Sequence, residues 1–189
     1  MKVLALILSF GLASLYAAPD VVEKVYATPI QAIQKTYGVE STSFVQDVTL
    51  TPEQVMALEA SVNLELVQTS LKLHTVKSNS HVAGYAVEIN EIGKYYPITA
   101  MVMISPDHKV QDVHVLIYRE KIGKEVRKRR FLKQFVGKTG HDPLRLDRDI
   151  DGISGATMSS WAMATAVKRA LRLSDFIDTL ITDAQISQN

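Results

Sequence analysis

Between residues 71 and 118 the chain alternates apolar and polar side chains in four short runs, Leu71–Val76, Val82–Ile89, Ile98–Ile104 and Val110–Tyr118. A period of two places every second side chain on one face of a strand. The connectors are turn-like: Ser78-Asn79-Ser80, then Asn90 to Tyr96, then Ser105-Pro106-Asp107-His108. Four strands joined by short turns form an antiparallel meander, and any helices must lie on it.

Helical spacing flanks the meander. Residues 20–37 carry apolar side chains at Val21, Val22, Val25, Ile30, Ile33 and Tyr37, with Pro29 expected to divide the stretch and Gly38 to stop it. Phe44 to Leu50 alternates as a short strand. Thr51-Pro52-Glu53-Gln54 is a helix start, with Thr51 as N-cap, Pro52 at the first position and Gln54 completing a capping box. That helix is expected to reach about Leu66 and to bury Val55, Leu58, Val62 and Leu66. After the meander a basic helix is expected from Lys124 to Phe135, then a loop with Gly140 and Pro143, a helix from Met158 to Leu173, and a last helix from Asp175 to about Ala184. The expected class is α+β: an antiparallel meander sheet packed by helices, with an N-terminal helical extension over 18–70 and the main domain over 71–189.

Composition removes several chemistries. The 189 residues have 47% hydrophobic and 22% charged content, enough for one ordinary globular domain. A net charge of +1, which includes Lys2, gives no argument for a nucleic-acid partner. The absence of cysteine excludes disulfides, thiolate metal sites, c-type haem attachment and a lipid-modified N-terminal cysteine. The five histidines show no metal-ligand spacing, so no metal site is expected. There is no nucleophile elbow, P-loop or dinucleotide signature, and no catalytic constellation. Lys2, the apolar run Val3–Leu15 and Ala17-Ala18 before Pro19-Asp20 suit a signal peptide over 1–17, cleaved after Ala17, with Ala18 and an uncleaved membrane anchor as alternatives. Export to a bacterial periplasm is the expectation.

The chemistry-bearing stretch is Asp151-Gly152-Ile153-Ser154-Gly155-Ala156-Thr157, directly before a helical run. Gly155 and Ala156 leave little bulk around the Thr157 hydroxyl, and Ser154 is a candidate helix cap. A first-turn position stabilises an anion by about 0.3–1 kcal/mol through the helix dipole. Asp151 is no direct phosphate ligand, since like charges repel. A plain helix start is the competing explanation of so short a motif.

This motif resembles the flavinylation motif of the FMN-binding domain family, which is related to the flavin-carrying subunits of sodium-pumping NADH:quinone reductase and of the ferredoxin-linked electron transport complex. Lys94-Tyr95-Tyr96-Pro97-Ile98-Thr99, Tyr118-Arg119-Glu120, Gly123 to Arg127, Phe131 to Lys138 and Ser154 to Ser160 are similar to recurrent blocks of the family, over roughly residues 71–173. The resemblance implies FMN held covalently, through a phosphodiester to Thr157. It also implies a flavin transferase that uses FAD and Mg²⁺ and reads a sequence including Asp151; the Mg²⁺ belongs to that enzyme. Those larger subunits have a Glu-Thr-containing, glycine-rich block where this chain has Tyr118 to Gly123. The chain is therefore expected to be a small free-standing relative, and their partners are not carried over.

Other candidates each have a plain structural alternative. Arg119 is placed to pair with the flavin phosphate or the reduced ring, with Glu120 holding it, or the two form an exposed salt bridge before Gly123. Gly84-Tyr85 interrupts a strand, as a bulge or a close approach on the flavin side. Trp161 lies one turn after Thr157, to cover the isoalloxazine or to anchor the core. Ser160 belongs to the motif block. Lys121, Lys124, Arg127, Lys128, Arg129, Arg130 and Lys133 form a solvated face, or a docking patch for an acidic redox partner such as a cytochrome or a membrane reductase loop. The expected function is an exported electron carrier between a membrane- or quinone-linked donor and a periplasmic acceptor. The alternative is an exported binding or assembly module without a functional flavin.

Overall fold

A computed structural model describes residues 23–177. The expected leader and nearly all of the expected last helix lie outside them. The elements are β1 (Lys24–Val25), α1 (Pro29–Tyr37), β2 (Thr42–Thr49), α2 (Pro52–Val62), β3 (Ser70–Ser78), β4 (His81–Ile92), β5 (Pro97–Ile104), β6 (Val110–Tyr118), α3 (Arg129–Leu132) and α4 (Thr157–Ser174). The six strands make one sheet in the order β1-β6-β5-β4-β3-β2, antiparallel throughout. The meander β3–β6 forms its centre, as the alternation requires. The class is α+β, as expected.

Residues 23–70 do more than extend the domain, because they supply both outer strands of the sheet. Lys24 and Val25 pair with Tyr118 and Ile117, where helical spacing had been expected to continue. Pro29 opens α1 instead of dividing a longer helix. The residue before a proline is held extended, and Thr28 accordingly sits at ψ 159° as the N-cap. Gln31 N–H donates to Thr28 Oγ1 at 3.3 Å while Thr28 N–H donates to Gln31 Oε1 at 2.9 Å, a full capping box. Thr51 and Gln54 repeat it at α2, as their spacing predicts. That helix stops at Val62, short of Leu66, because Asn63 takes the left-handed C-cap at φ 57°. Leu66 still packs against the core.

One face of the sheet carries the larger core. Leu73, Val87, Val102 and Val113 pack beneath Leu58 of α2 and Ala162, Met163, Ala166, Val167 and Ala170 of α4. The small side chains let α4 lie close on the strands. The other face is covered by α1, with Ala32 and Ile33 on Val76, Ala86, Met101, Met103 and Leu116. The expected basic helix is broken into a 3₁₀ turn (Lys124–Arg127), α3 and a second 3₁₀ turn (Lys133–Phe135). Val126 and Phe131 are both buried, and residues five apart cannot share a helix face. Lys128, extended at ψ 139°, makes the adjustment.

A fully buried Arg169 ties α4 to the rest. It is ion-paired with Glu91 on β4, and its Nη2 donates to the Leu64 and Glu65 carbonyls at 2.7 and 2.8 Å. Burial raises the Glu91 carboxyl to about 7, against the pull of the Arg169 guanidinium.

Candidate functional site

The segment before α4 is shaped by backbone bonds and two side chains. Asp149 accepts the Leu144 and Arg145 N–H groups at 2.9 and 2.8 Å. Gln134 brackets Asp151: its Oε1 accepts the Asp151 N–H at 2.8 Å, and its Nε2 donates to the Asp151 carbonyl at 3.2 Å. The chain then turns, with Ala156 N–H donating to the Ile153 carbonyl at 2.8 Å and Gly155 at φ 76° in the third position of the turn. That position of a type II turn requires a left-handed residue. A Cβ on Gly155 would meet nothing within 4 Å, so conformation, not space, calls for glycine.

Helix α4 begins at Thr157 with Ala156 as its N-cap and no side-chain cap. The expected cap, Ser154, is exposed and does not serve; with Gly155 turning the chain behind it, Ala156 occupies the cap position. Ser160, fully buried, uses its hydroxyl to accept the Ile153 N–H at 3.2 Å, locking the turn onto the helix. The first turn of α4 holds no acidic residue, and Thr157 is exposed. Uncapped N–H groups at a positive helix end suit an anion.

Beside Thr157 lies a cavity of about 810 Å³ lined by Lys94, Tyr95 and Tyr96, by Glu120, Lys121 and Ile122, and by Gly155 to Ser159. Three chain segments thus meet, the β4–β5 turn, the end of β6 and the start of α4. Glu120 joins two of them: its Oε1 accepts the Tyr95 and Tyr96 N–H groups at 2.5 and 2.9 Å. Tyr118 joins the other pair, donating to the Ile122 carbonyl at 2.5 Å with its oxygen 2.9 Å from Ser159 Oγ. Burial holds the Tyr118 phenol above its usual range. Gly123, at φ 98°, admits this contact; a Cβ there would stand 2.7 Å from both Ser159 Oγ and the Tyr118 hydroxyl.

Several expected site residues are elsewhere. Glu120 does not hold Arg119. Arg119 pairs with Glu23 at 2.8 Å and donates to the Pro97 carbonyl and Thr99 Oγ1 at 3.1 and 3.0 Å, so it ties β6 to its neighbours. Gly84 and Tyr85 lie toward the opposite end of β4. Gly84 stands at a bulge, where β4 carries Ala83 as an extra residue against β3, and a Cβ there would sit 2.5 Å from both the Ile104 carbonyl and the Tyr37 hydroxyl. The close approach expected of this glycine is to α1, not to the cavity. Trp161 is 38% exposed and is not among the lining residues, so it neither walls the cavity nor anchors the core. Tyr118 and Gly123 support the cavity from behind. Lys94, Tyr95, Tyr96, Lys121, Ile122, Met158 and Ser159 were not singled out for it; the Lys94-Tyr95-Tyr96 and Ser154–Ser160 blocks were the sequence signals pointing there.

The basic segment divides. Arg129 pairs with Asp112, and the Arg127 guanidinium lies 4.5 Å from the centre of the Tyr26 ring. Lys128, Arg130 and Lys133 line a second cavity of about 460 Å³, together with Asp151 to Ser154. Among the described residues no group of acidic or histidine side chains is arranged to hold a metal ion, and no helix is long and apolar enough to cross a membrane.

The residues present fit a flavin mononucleotide. A threonine hydroxyl stands at an uncapped helix start for the phosphate, and the adjoining cavity, within the usual size of a cofactor site, offers aromatic and aliphatic walls to a ring. Among solved structures, the chain is similar to the crystal structure of NqrC from Shewanella oneidensis, with a TM-score of 0.52 over 79% of this chain and 88% of that chain. At 15% identity that likeness concerns the fold alone. None of the curated proteins compared with the sequence matches it. Residues 93–172 match the family model of the FMN-binding domain, an interval that contains every residue lining the larger cavity. Over those residues the chain is similar to the FMN-binding domain family.

Proposed function

We propose that the protein is an exported electron-transfer flavoprotein carrying FMN in phosphodiester linkage to Thr157. The observation behind this reading is the exposed Thr157 hydroxyl at the uncapped start of α4, on the lip of the 810 Å³ cavity. Bound FMN supplies the redox chemistry, accepting two electrons and releasing them singly. The protein orients and shields. Glu120 holds the β4–β5 turn over the cavity, and the Tyr118–Ser159 contact fixes the first turn of α4 against the end of β6. Lys94 and Lys121 place positive charge where the phosphate and an electron-rich ring would lie.

Attachment requires a transferase that uses FAD. The Thr157 oxygen forms a bond to the FMN-side phosphorus, the pyrophosphate bond breaks, AMP leaves, and the hydroxyl proton passes to a base on that enzyme. Electrons would then move between a membrane- or quinone-linked donor and a periplasmic acceptor such as a cytochrome. The leader-like N-terminus supports the periplasmic setting.

Intact-protein mass tests the reading. After co-expression with a flavin transferase in an exporting host, the chain should gain the mass of FMN less water, and Thr157→Ala should not. An unmodified wild-type chain, colourless after purification, would instead favour a binding or assembly module.

A further inference from the structure

The broken basic segment has a second consequence, away from the flavin cavity. A recess of about 190 Å³ lies where α1, β6 and the stretch from Tyr26 to Ala27 meet Arg127, Arg129 and Leu132. Three permanently charged groups line it, Lys35, Arg127 and Arg129, together with His114. No carboxylate is among its lining residues, and Asp112, next to them in β6, is engaged by Arg129 and by its own neighbour's backbone, Val113 N–H, at 2.8 Å. Lys24 adds a further cation across the Tyr26 ring, 5.4 Å from its centre. Such an excess of one sign around a concavity attracts an anion.

His114 gives the recess a chemical preference. Its side chain is nine-tenths buried, with Nε2 3.0 Å from Thr36 Oγ1 and 3.5 Å from Asp112 Oδ2. The Ala32 carbonyl accepts the Thr36 hydroxyl at 3.2 Å and the Asp112 carboxylate stands beside Nε2, an arrangement that favours the proton on Nε2. That leaves Nδ1 as a lone pair with no hydrogen-bond partner among the described residues. Protonated, Nδ1 becomes a donor. Burial, with Lys35 and Arg129 adding to it and Asp112 opposing, holds the imidazole below its usual value and therefore neutral near pH 7.

We propose that this recess is a binding site for a phosphate group, and that binding is coupled to protonation of His114. Lys35 from α1 and Arg127 from the 3₁₀ turn supply charge, while Arg129 and the imidazole Nδ1 donate hydrogen bonds. The volume admits one tetrahedral oxyanion with a few waters, each of which takes about 30 Å³ in the liquid. An anion here reverses the electrostatic effect of Lys35 and Arg129 on His114, so protonation and binding strengthen each other.

The test uses the intact chain with three probes: inorganic phosphate, sulfate and phosphatidylglycerol vesicles. Sulfate keeps a fixed charge between pH 6 and 7.5, so any pH dependence of its binding belongs to the protein. Sulfate should bind about fivefold or more tighter at pH 6 than at pH 7.5, with the His114 midpoint rising on saturation. Lys35→Gln and Arg127→Gln, both at exposed positions, should each weaken phosphate and sulfate binding by about fivefold or more. Vesicle binding that phosphate competes away would assign the site to a lipid headgroup, and binding of the free ions alone to a soluble phosphate. The proposal is overturned if none of the three probes binds, if the His114 resonances stay unmoved by saturating sulfate, or if both variants bind as the wild type does. None of these readouts depends on whether Thr157 carries flavin.

Discussion

The hydroxyls of Tyr118 and Ser159 lie 2.9 Å apart, joining the last residue of β6 to the first turn of α4. Tyr118 is almost wholly buried and also donates to the Ile122 carbonyl at 2.5 Å, so one side chain fixes both walls of the cavity that meet at Thr157. Tyr118→Phe should cost about 1–2 kcal/mol of stability, since it leaves a carbonyl and a hydroxyl short of a partner. Ser159→Ala should cost less, about 0.5–1.5 kcal/mol. Urea unfolding of both single variants and the double variant measures their coupling; strictly additive losses would remove the clamp from this account.

The two left-handed glycines at the site should respond differently to alanine. Gly155→Ala meets open space and bears only the conformational cost at φ 76°, about 1–2 kcal/mol. Gly123→Ala adds a Cβ 2.7 Å from Ser159 Oγ and the Tyr118 hydroxyl, and should cost about 3 kcal/mol or more, with the clamp disturbed. Equal losses in thermal or denaturant unfolding would contradict the geometry at Gly123.

Gln134 is expected to matter more for modification than for folding. Its amide makes both hydrogen bonds to the Asp151 backbone and, among the described residues, hydrogen-bonds to no other part of the motif. Gln134→Ala should therefore lower stability by about 1–2 kcal/mol while slowing FMN incorporation at Thr157 severalfold. Timed intact-mass measurements with a transferase read the second effect. Unchanged incorporation would mean the loop keeps its shape without this bracket.

Glu91 and Arg169 should give a pH-dependent stability. Burial raises the folded-state value of Glu91 from 4.5 to about 7. The folded chain therefore holds this proton more tightly than the unfolded chain does. The contribution is fully present below pH about 4.5 and is lost as pH rises through about 7. Wild-type stability should fall relative to Glu91→Gln across that window. Arg169→Met should cost about 3–5 kcal/mol at neutral pH, because it strands a buried carboxylate, and less near pH 5. A wild-type chain that gains stability relative to Glu91→Gln between pH 5 and 7 would refute the assignment.

Much of the local structure was legible in the sequence. The Thr51–Gln54 capping box forms as its spacing predicts, and the four alternating runs become β3 to β6. Such features depend on residues three or four apart, or on a period of two. The reading failed where partners are distant. Pro29 heads a helix because the residues before it pair with β6 more than ninety positions away. Ser154 loses the cap to the turn at Gly155, and Arg119 is drawn to Glu23, just before the adjacent edge strand β1, instead of to Glu120.

The sequence by itself determined that a meander would form and that a threonine hydroxyl would stand at a helix start after a small, glycine-containing turn. Both follow from side-chain periodicity and backbone chemistry over a few residues. Only the tertiary structure decided what surrounds that hydroxyl. Segments 94–96, 120–122 and 155–159 converge because strand pairing brings the ends of β4, β5 and β6 together and α4 packs across them. Trp161, one turn beyond Thr157, remains outside that convergence, half turned to solvent. Helical spacing puts a side chain on a face; packing decides what the face meets.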